Sequence, residues 1–198
     1  MPSSEGPITS ADVAHELLQA LEQQLVAAGA SFDLVVIGGS ALLAVGLAGR
    51  ATQDVDVVAL ATPDGLISTE HLPAELLAAV AVVARNFEVS AGWLNSGPAE
   101  LLRLGLPVGF RDRWETQQYG QGLTVRWASR FDQIHFKPYA AVDQAGKHLR
   151  DLQALQPSRD ELVAAARWSR EHDPSEGFLS MLTEALKYFG VEDVGLGA

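Results

Sequence analysis

The chain has 198 residues, 47% of them hydrophobic, enough for one packed domain or a domain with a helical extension. It has no cysteine, which excludes disulfides, thiolate catalysis and cysteine-built zinc sites, and its five scattered histidines form no H-x-x-x-H pair. With 14 basic against 25 acidic residues the net charge is −11, which disfavours a long nonspecific nucleic-acid footprint, because backbone affinity comes largely from lysine and arginine.

In chain order, residues 1–9 read as disordered. Ser10 is a candidate N-cap, and Val13, Leu17, Leu21 and Leu25 follow helical spacing up to Gly29. Phe32 to Ile37 is a buried strand, Ser40 to Gly46 a short helix, and Val55 to Leu60 a second strand. Thr62-Pro63-Asp64-Gly65 is a turn. Leu72 to Arg85 is an alanine-rich helix with Pro73 in its first turn. Residues 89–110 give no clear element: Asn95-Ser96-Gly97-Pro98 is a loop, and Gly105, Pro107 and Gly109 break any long segment. Leu123 to Ala128 is a strand. Arg130 to Val142 is a helix interrupted or kinked by Pro138. Gly146 to Leu155 is helical and stops at Pro157. Ser158 and Glu161 form a capping box that opens a helix to His172. Pro174 to Phe189 is the last helix, capped by Gly190.

The expected class is therefore α/β (α+β), with a mixed core over 10–128 and a helical part over 129–198 packed on it. No apolar run near 18 residues is free of charge, and no basic-then-apolar segment opens the chain, so a cytoplasmic protein with no membrane partner is expected. Eight basic residues gather within 103–150. They read either as a local basic patch or as a stretch that is simply less acidic than the two ends.

The chemistry lies in the run from Val35 to Val58. An apolar strand enters Gly38-Gly39-Ser40, a short apolar helix follows, and the next strand carries Asp54 and Asp56. Residues two apart on a strand share a face, so the two acids point one way while Val55 and Val57 point into the core. Paired carboxylates repel unless a cation lies between them. Facing a glycine-rich turn, they suit Mg2+ (or Mn2+) held together with a nucleotide phosphate. The plain alternatives are two surface acids on an edge strand and a simple tight turn. A dinucleotide-binding loop fails, since G-x-G-x-x-G is absent. Ser40 could bond a phosphate oxygen or cap the helix, Arg50 could neutralise a triphosphate or pair with Asp54, and Thr52 reads as structural.

These residues resemble the signature of the DNA polymerase β-like nucleotidyltransferase superfamily, a Gly-Ser turn followed by Asp-x-Asp between apolar residues. The longer run GGSALLAVGL with DVDVV is similar to the AbiEii-toxin-like branch and its uncharacterised relatives. The similarity continues through Trp93-Leu94-Asn95 and through residues 131–155. It implies a minimal nucleotidyltransferase fold, a small mixed sheet flanked by helices, and transfer of a nucleoside monophosphate from an NTP to a hydroxyl on tRNA or protein. Asp54 and Asp56 would hold magnesium, Gly38, Gly39 and Ser40 would cradle phosphates, and Arg50 would balance charge. Lys137 stands where the family carries a lysine, although Pro138 departs from its pattern. Asp151 matches an additional active-site carboxylate; otherwise it is an i,i+4 partner of Lys147. Asp132 competes with Asp151 for that role, or caps a helix. Asn95 reaches the site or holds a turn. The branch includes toxins with an antitoxin partner. The rival expectation is a weak or inactive nucleotide- and metal-binding regulatory module.

Overall fold

The computed structural model describes residues 8, 10–44, 46, 52, 54–142, 145–192 and 195. The chain divides into two compact units, one from Met1–Leu106 and Arg111–Ala128, the other from Pro107–Phe110 and Ser129–Ala198. It is a mixed α/β protein, 55% helical, with one mixed six-stranded sheet flanked by helices among the described residues.

The first unit holds α1 (Ala11–Ala27), β1 (Phe32–Ile37), α2 (Gly38–Ala44), β2 (Val55–Thr62), β3 (Gly65–Ser68), α3 (Ala74–Phe87) and β4 (Leu94–Asn95). A 3-10 turn (Gly97–Ala99), α4 (Glu100–Leu104), α5 (Phe110–Arg113), β5 (Glu115–Tyr119) and β6 (Leu123–Trp127) follow, with Phe110 itself in the second unit. Ser10 caps α1 by accepting from the Val13 N–H at 3.3 Å, and the helix buries Leu17, Leu18, Leu21 and Leu25 on one stripe. The strand order is β3-β2-β1-β6-β5, with β4 pairing the start of β2. β1 runs antiparallel to β2 and parallel to β6.

The period of two sorts the sheet into two faces. Leu34, Val36, Val55, Val57, Leu94, Leu123, Val125 and Trp127 belong to one core with α1 and α3. Trp93 is fully buried in that core, its indole N–H donating to the Val80 carbonyl at 3.1 Å. The opposite face carries Asp33, Val35, Ile37, Ala59, Thr124 and Arg126 in register. The pairing shifts between Val35 and Val36: Val35 opposes Ala59 but Val36 opposes Val57, so β2 bulges at Val58.

Three strands were not expected: β3, β5 and the two-residue β4. β3 forms because the turn at Pro63-Asp64 returns the chain as a hairpin, Thr62 opposite Gly65, and the Thr62 hydroxyl donates to the Gly65 carbonyl at 3.1 Å. β5 is a polar edge strand, exposed from Glu115 to Gln118, and so lacks the apolar alternation that would betray it. The expectation of disorder over 1–9 fails at Ile8, which is fully buried and exchanges two backbone bonds with Thr52 at 2.8 and 2.9 Å.

The second unit holds α6 (Arg130–Ala141), α7 (Ala145–Ala154), α8 (Arg159–His172) and α9 (Glu176–Lys187). Helix α6 contacts the other three and is buried over eight of its positions, from Asp132 to Pro138 and at Ala141. It runs through Pro138 without ending. A proline removes one helical hydrogen bond, and packing on several sides replaces that support. Trp168 of α8 meets Phe136, Tyr139 and His135 edge-on at ring separations of 5.7, 6.0 and 6.2 Å. The Ser158–Glu161 capping box is formed. No helix among the described residues is long and apolar enough to cross a membrane.

Arg130 ties this unit together. It donates to Glu161 at 2.5 and 3.2 Å, and to the Leu155 and Gln156 carbonyls at 3.0 Å each. The α7–α8 turn is thereby fixed to the first residue of α6. The Arg130 guanidinium, followed by the Ser158 backbone N–H, draws the Glu161 carboxyl down to about 2. A folded-state value below the unfolded one stabilises the fold above the unfolded pKa, and that contribution fades as pH falls from about 4.5 to about 2. Both side chains are partly exposed, so solvent moderates the pair. Arg130→Ala should cost about 1–2 kcal/mol in urea unfolding at neutral pH, and the difference from the parent should shrink as the medium is acidified through that window.

Candidate functional site

The sequence Val-Val-Ile-Gly-Gly makes a buried strand that must turn at once into α2, and Gly38 makes that turn with φ at +81°. That backbone conformation suits a residue without a Cβ. A second constraint acts at the same atom. A Cβ placed on Gly38 would lie 2.3 Å from Oδ2 of Asp56 and 3.2 Å from its Cγ. The carboxylate of Asp56 therefore rests directly over the Gly38 backbone. Register explains why: Ile37, the last residue of β1, pairs with Asp56, so the turn leaving β1 begins beside that acid.

Asp56 is half-buried and opposes Asn95 of β4 on its other side. Asn95 holds a turn, its Oδ1 accepting from the Gly97 N–H at 2.7 Å. Asp54 stands just before β2 rather than within it, half-buried, with the Thr52 hydroxyl 3.5 Å from its Oδ1 and 3.4 Å from its carbonyl. Thr52 is itself buried and backbone-paired with Ile8, so it anchors the approach to the acids, in keeping with a structural role.

Ser40 departs from expectation. Helix α2 begins at Gly38, so Ser40 is its third residue and not its cap. It is fully buried, and its hydroxyl has no hydrogen-bond partner among the described residues. Gly39 is buried as well. The turn therefore presents backbone rather than the Ser40 side chain. Arg50 lies outside the described residues.

In the second unit, Lys137 and Asp151 form an ion pair at 2.7 Å, with side chains 3% and 1% exposed. Asp151 thus partners Lys137 of α6, a different lysine from the i,i+4 neighbour considered in the sequence. Asp132 is the third residue of α6 and not its cap. Ser129 is the cap, accepting from the Asp132 N–H at 3.3 Å and donating its hydroxyl to the Asp132 carboxylate at 2.5 Å.

Four of the eight basic residues of 103–150 are held in ion pairs. Arg103 binds Glu100, Arg126 binds Asp33 at 2.6 Å, Arg130 binds Glu161 and Lys137 binds Asp151. That favours the plainer reading of this stretch over a nucleic-acid patch. Sequence reasoning missed the Asp33–Arg126 pair, although both residues interrupt apolar strands at alternating positions. No known protein family, curated protein or solved structure matches this chain.

A buried ion pair broken on one side leaves an uncompensated charge, whereas replacing both partners with apolar groups removes the desolvation cost. Lys137→Met alone should lower stability in chemical denaturation by about 3–5 kcal/mol. Lys137→Met combined with Asp151→Leu should recover most of that loss.

Proposed function

We propose that this chain is a magnesium-dependent nucleotidyltransferase that moves a nucleoside monophosphate from an NTP to a hydroxyl acceptor on an RNA end or a protein. The observation that carries the reading is the seat of Asp56 over Gly38. It sets one acid of an Asp-x-Asp pair directly against the glycine turn that ends β1. Its partner Asp54 lies two residues earlier, its carbonyl and carboxylate within reach of the Thr52 hydroxyl.

The donor set fits the implied ion. Asp54 and Asp56 offer hard carboxylate oxygens, and Mg2+ (or Mn2+) takes one or two such groups while keeping waters and phosphate oxygens for its other positions. Among the described residues no group of three or more Asp, Glu or His side chains is arranged for a metal, and a site of this kind does not require one. When bound, the ion supplies charge neutralisation on the triphosphate and a lower pKa for the attacking hydroxyl. The chain's own part is positional. Asp56 is held by its register with Ile37 and by its contact with Gly38, which fixes one acid at the glycine turn. The acceptor oxygen bonds to the α-phosphorus, the bond to the β-phosphate oxygen breaks, pyrophosphate leaves, and the hydroxyl proton passes to solvent. The resemblance to the AbiEii branch supports a toxin of a type IV toxin–antitoxin system, with a tRNA acceptor and an antitoxin partner, as the cellular role.

One observation favours a second reading, a nucleotide- and metal-binding regulatory module with little or no catalysis. Lys137, the residue expected to stabilise transferred charge, is neutralised by Asp151 at 2.7 Å. Incubation with labelled NTPs, Mg2+ and bulk tRNA separates the two. The transferase reading expects metal-dependent label in RNA or in the protein, and Asp54→Asn or Asp56→Asn should each reduce it by at least about a hundredfold, roughly 2.7 kcal/mol. The module reading expects Mg-NTP binding by calorimetry without incorporation. Asn variants that bind and transfer like the parent would remove the acid pair from the site.

A further inference from the structure

At the start of β1, about 20 Å along the strand from the Gly38 turn, the first unit has a second concave site. It is a cavity of about 530 Å³, lined in part by Phe32, Asp33, Pro63, Arg111, Trp114 and Arg126. That volume is in the range of small-molecule pockets, roughly 300–1,000 Å³. Its wall is built rather than incidental. Both carboxylate oxygens of Asp33 hold one edge of the Arg126 guanidinium, accepting from Nε at 2.8 Å and from a terminal nitrogen at 2.6 Å. So fixed, Arg126 lies over the Trp114 ring at 4.6 Å. Arg111 approaches the same ring at 5.9 Å but is exposed, and no carboxylate pairs with it among the described residues.

Charge then decides what the cavity takes. Arg126 and Asp33 cancel, and Arg111 leaves the lining with one net positive charge on a chain whose net charge is −11. A guanidinium offers a planar fork suited to phosphate or carboxylate. Phe32, Pro63 and Trp114 supply apolar side chains to the same lining. We propose that this cavity binds a small anion carried on a flat aromatic body, with Arg111 gripping the anionic group. The site is separate from the acid pair and does not depend on the transferase reading.

Two probes cover the two sources of that chemistry, AMP as an aromatic phosphate and 4-hydroxybenzoate as an aromatic carboxylate. They are titrated into the parent, into Arg111→Ala and into Arg103→Ala, following the indole N–H signal of Trp114. At least one probe should shift that signal, with a Kd of about 1 mM or tighter. Arg111→Ala should weaken it at least about tenfold. Arg103→Ala, whose arginine pairs with Glu100 outside the cavity, should leave it unchanged, as should Asp54→Asn. Whichever probe binds names the source. Absence of a shift with either, equal binding by Arg111→Ala, or binding of inorganic phosphate as tight as AMP would overturn the assignment.

Discussion

The first unit depends on one contact, the carboxylate of Asp56 lying over the backbone of Gly38. It requires the Ile37–Asp56 register, a left-handed backbone at residue 38, and the absence of a side chain there. Each requirement has its own cause. The register follows from the bulge at Val58, which shifts β2 by one residue between its pairing with Val35 and its pairing with Val36. Without that shift the acid would turn to the face packed by α1 and α3, where a half-buried carboxylate would meet hydrocarbon. Glycine at 38 lets the strand pass into α2 without a Cβ striking the acid. Strands β1, β2 and β6 thus bury an apolar face against α1 and α3 and carry Asp33, Asp56 and Arg126 on the other.

The second unit answers the same problem differently. Its central helix is buried on several sides and still carries Asp132, Gln133, His135 and Lys137. Lys137 is tolerated because Asp151 meets it, and Asp132 is fixed by the capping serine. An interior of this kind is polar at some cost, and the aromatic packing of Trp168 with Phe136 and Tyr139 offsets part of it. Arg130 then closes the unit from its edge, tying a turn and a helix start to one guanidinium.

Most long helices and the three apolar strands were legible, because their periodicities are strong and their caps are serines with standard spacing. The missed elements share a physical reason. β5 is a polar edge strand, β4 is two residues long, and β3 follows a turn whose far side is not apolar enough to announce a strand. At the candidate site the residue types of the acid pair and of the glycine turn could be read, but not the direction each side chain takes. Ser40 read as a phosphate contact or a helix cap; the helix starts two residues earlier, at Gly38, and Ser40 is buried as its third residue. Lys137 and Asp151 were singled out separately, and nothing in a fourteen-residue spacing reveals that they bind each other. The Asp33–Arg126 pair needed the β1–β6 register to bring its two members onto one face.

The account rests on the acid pair and the Gly38 turn forming one metal–triphosphate site. Its most direct test is a crystal structure of the protein with Mg2+ and a non-hydrolysable NTP. The account predicts an ion coordinated by Asp54 and Asp56 and by phosphate oxygens, with the triphosphate lying along the Gly38-Gly39 backbone. A nucleotide bound elsewhere, or an ion that ignores both carboxylates, would contradict it.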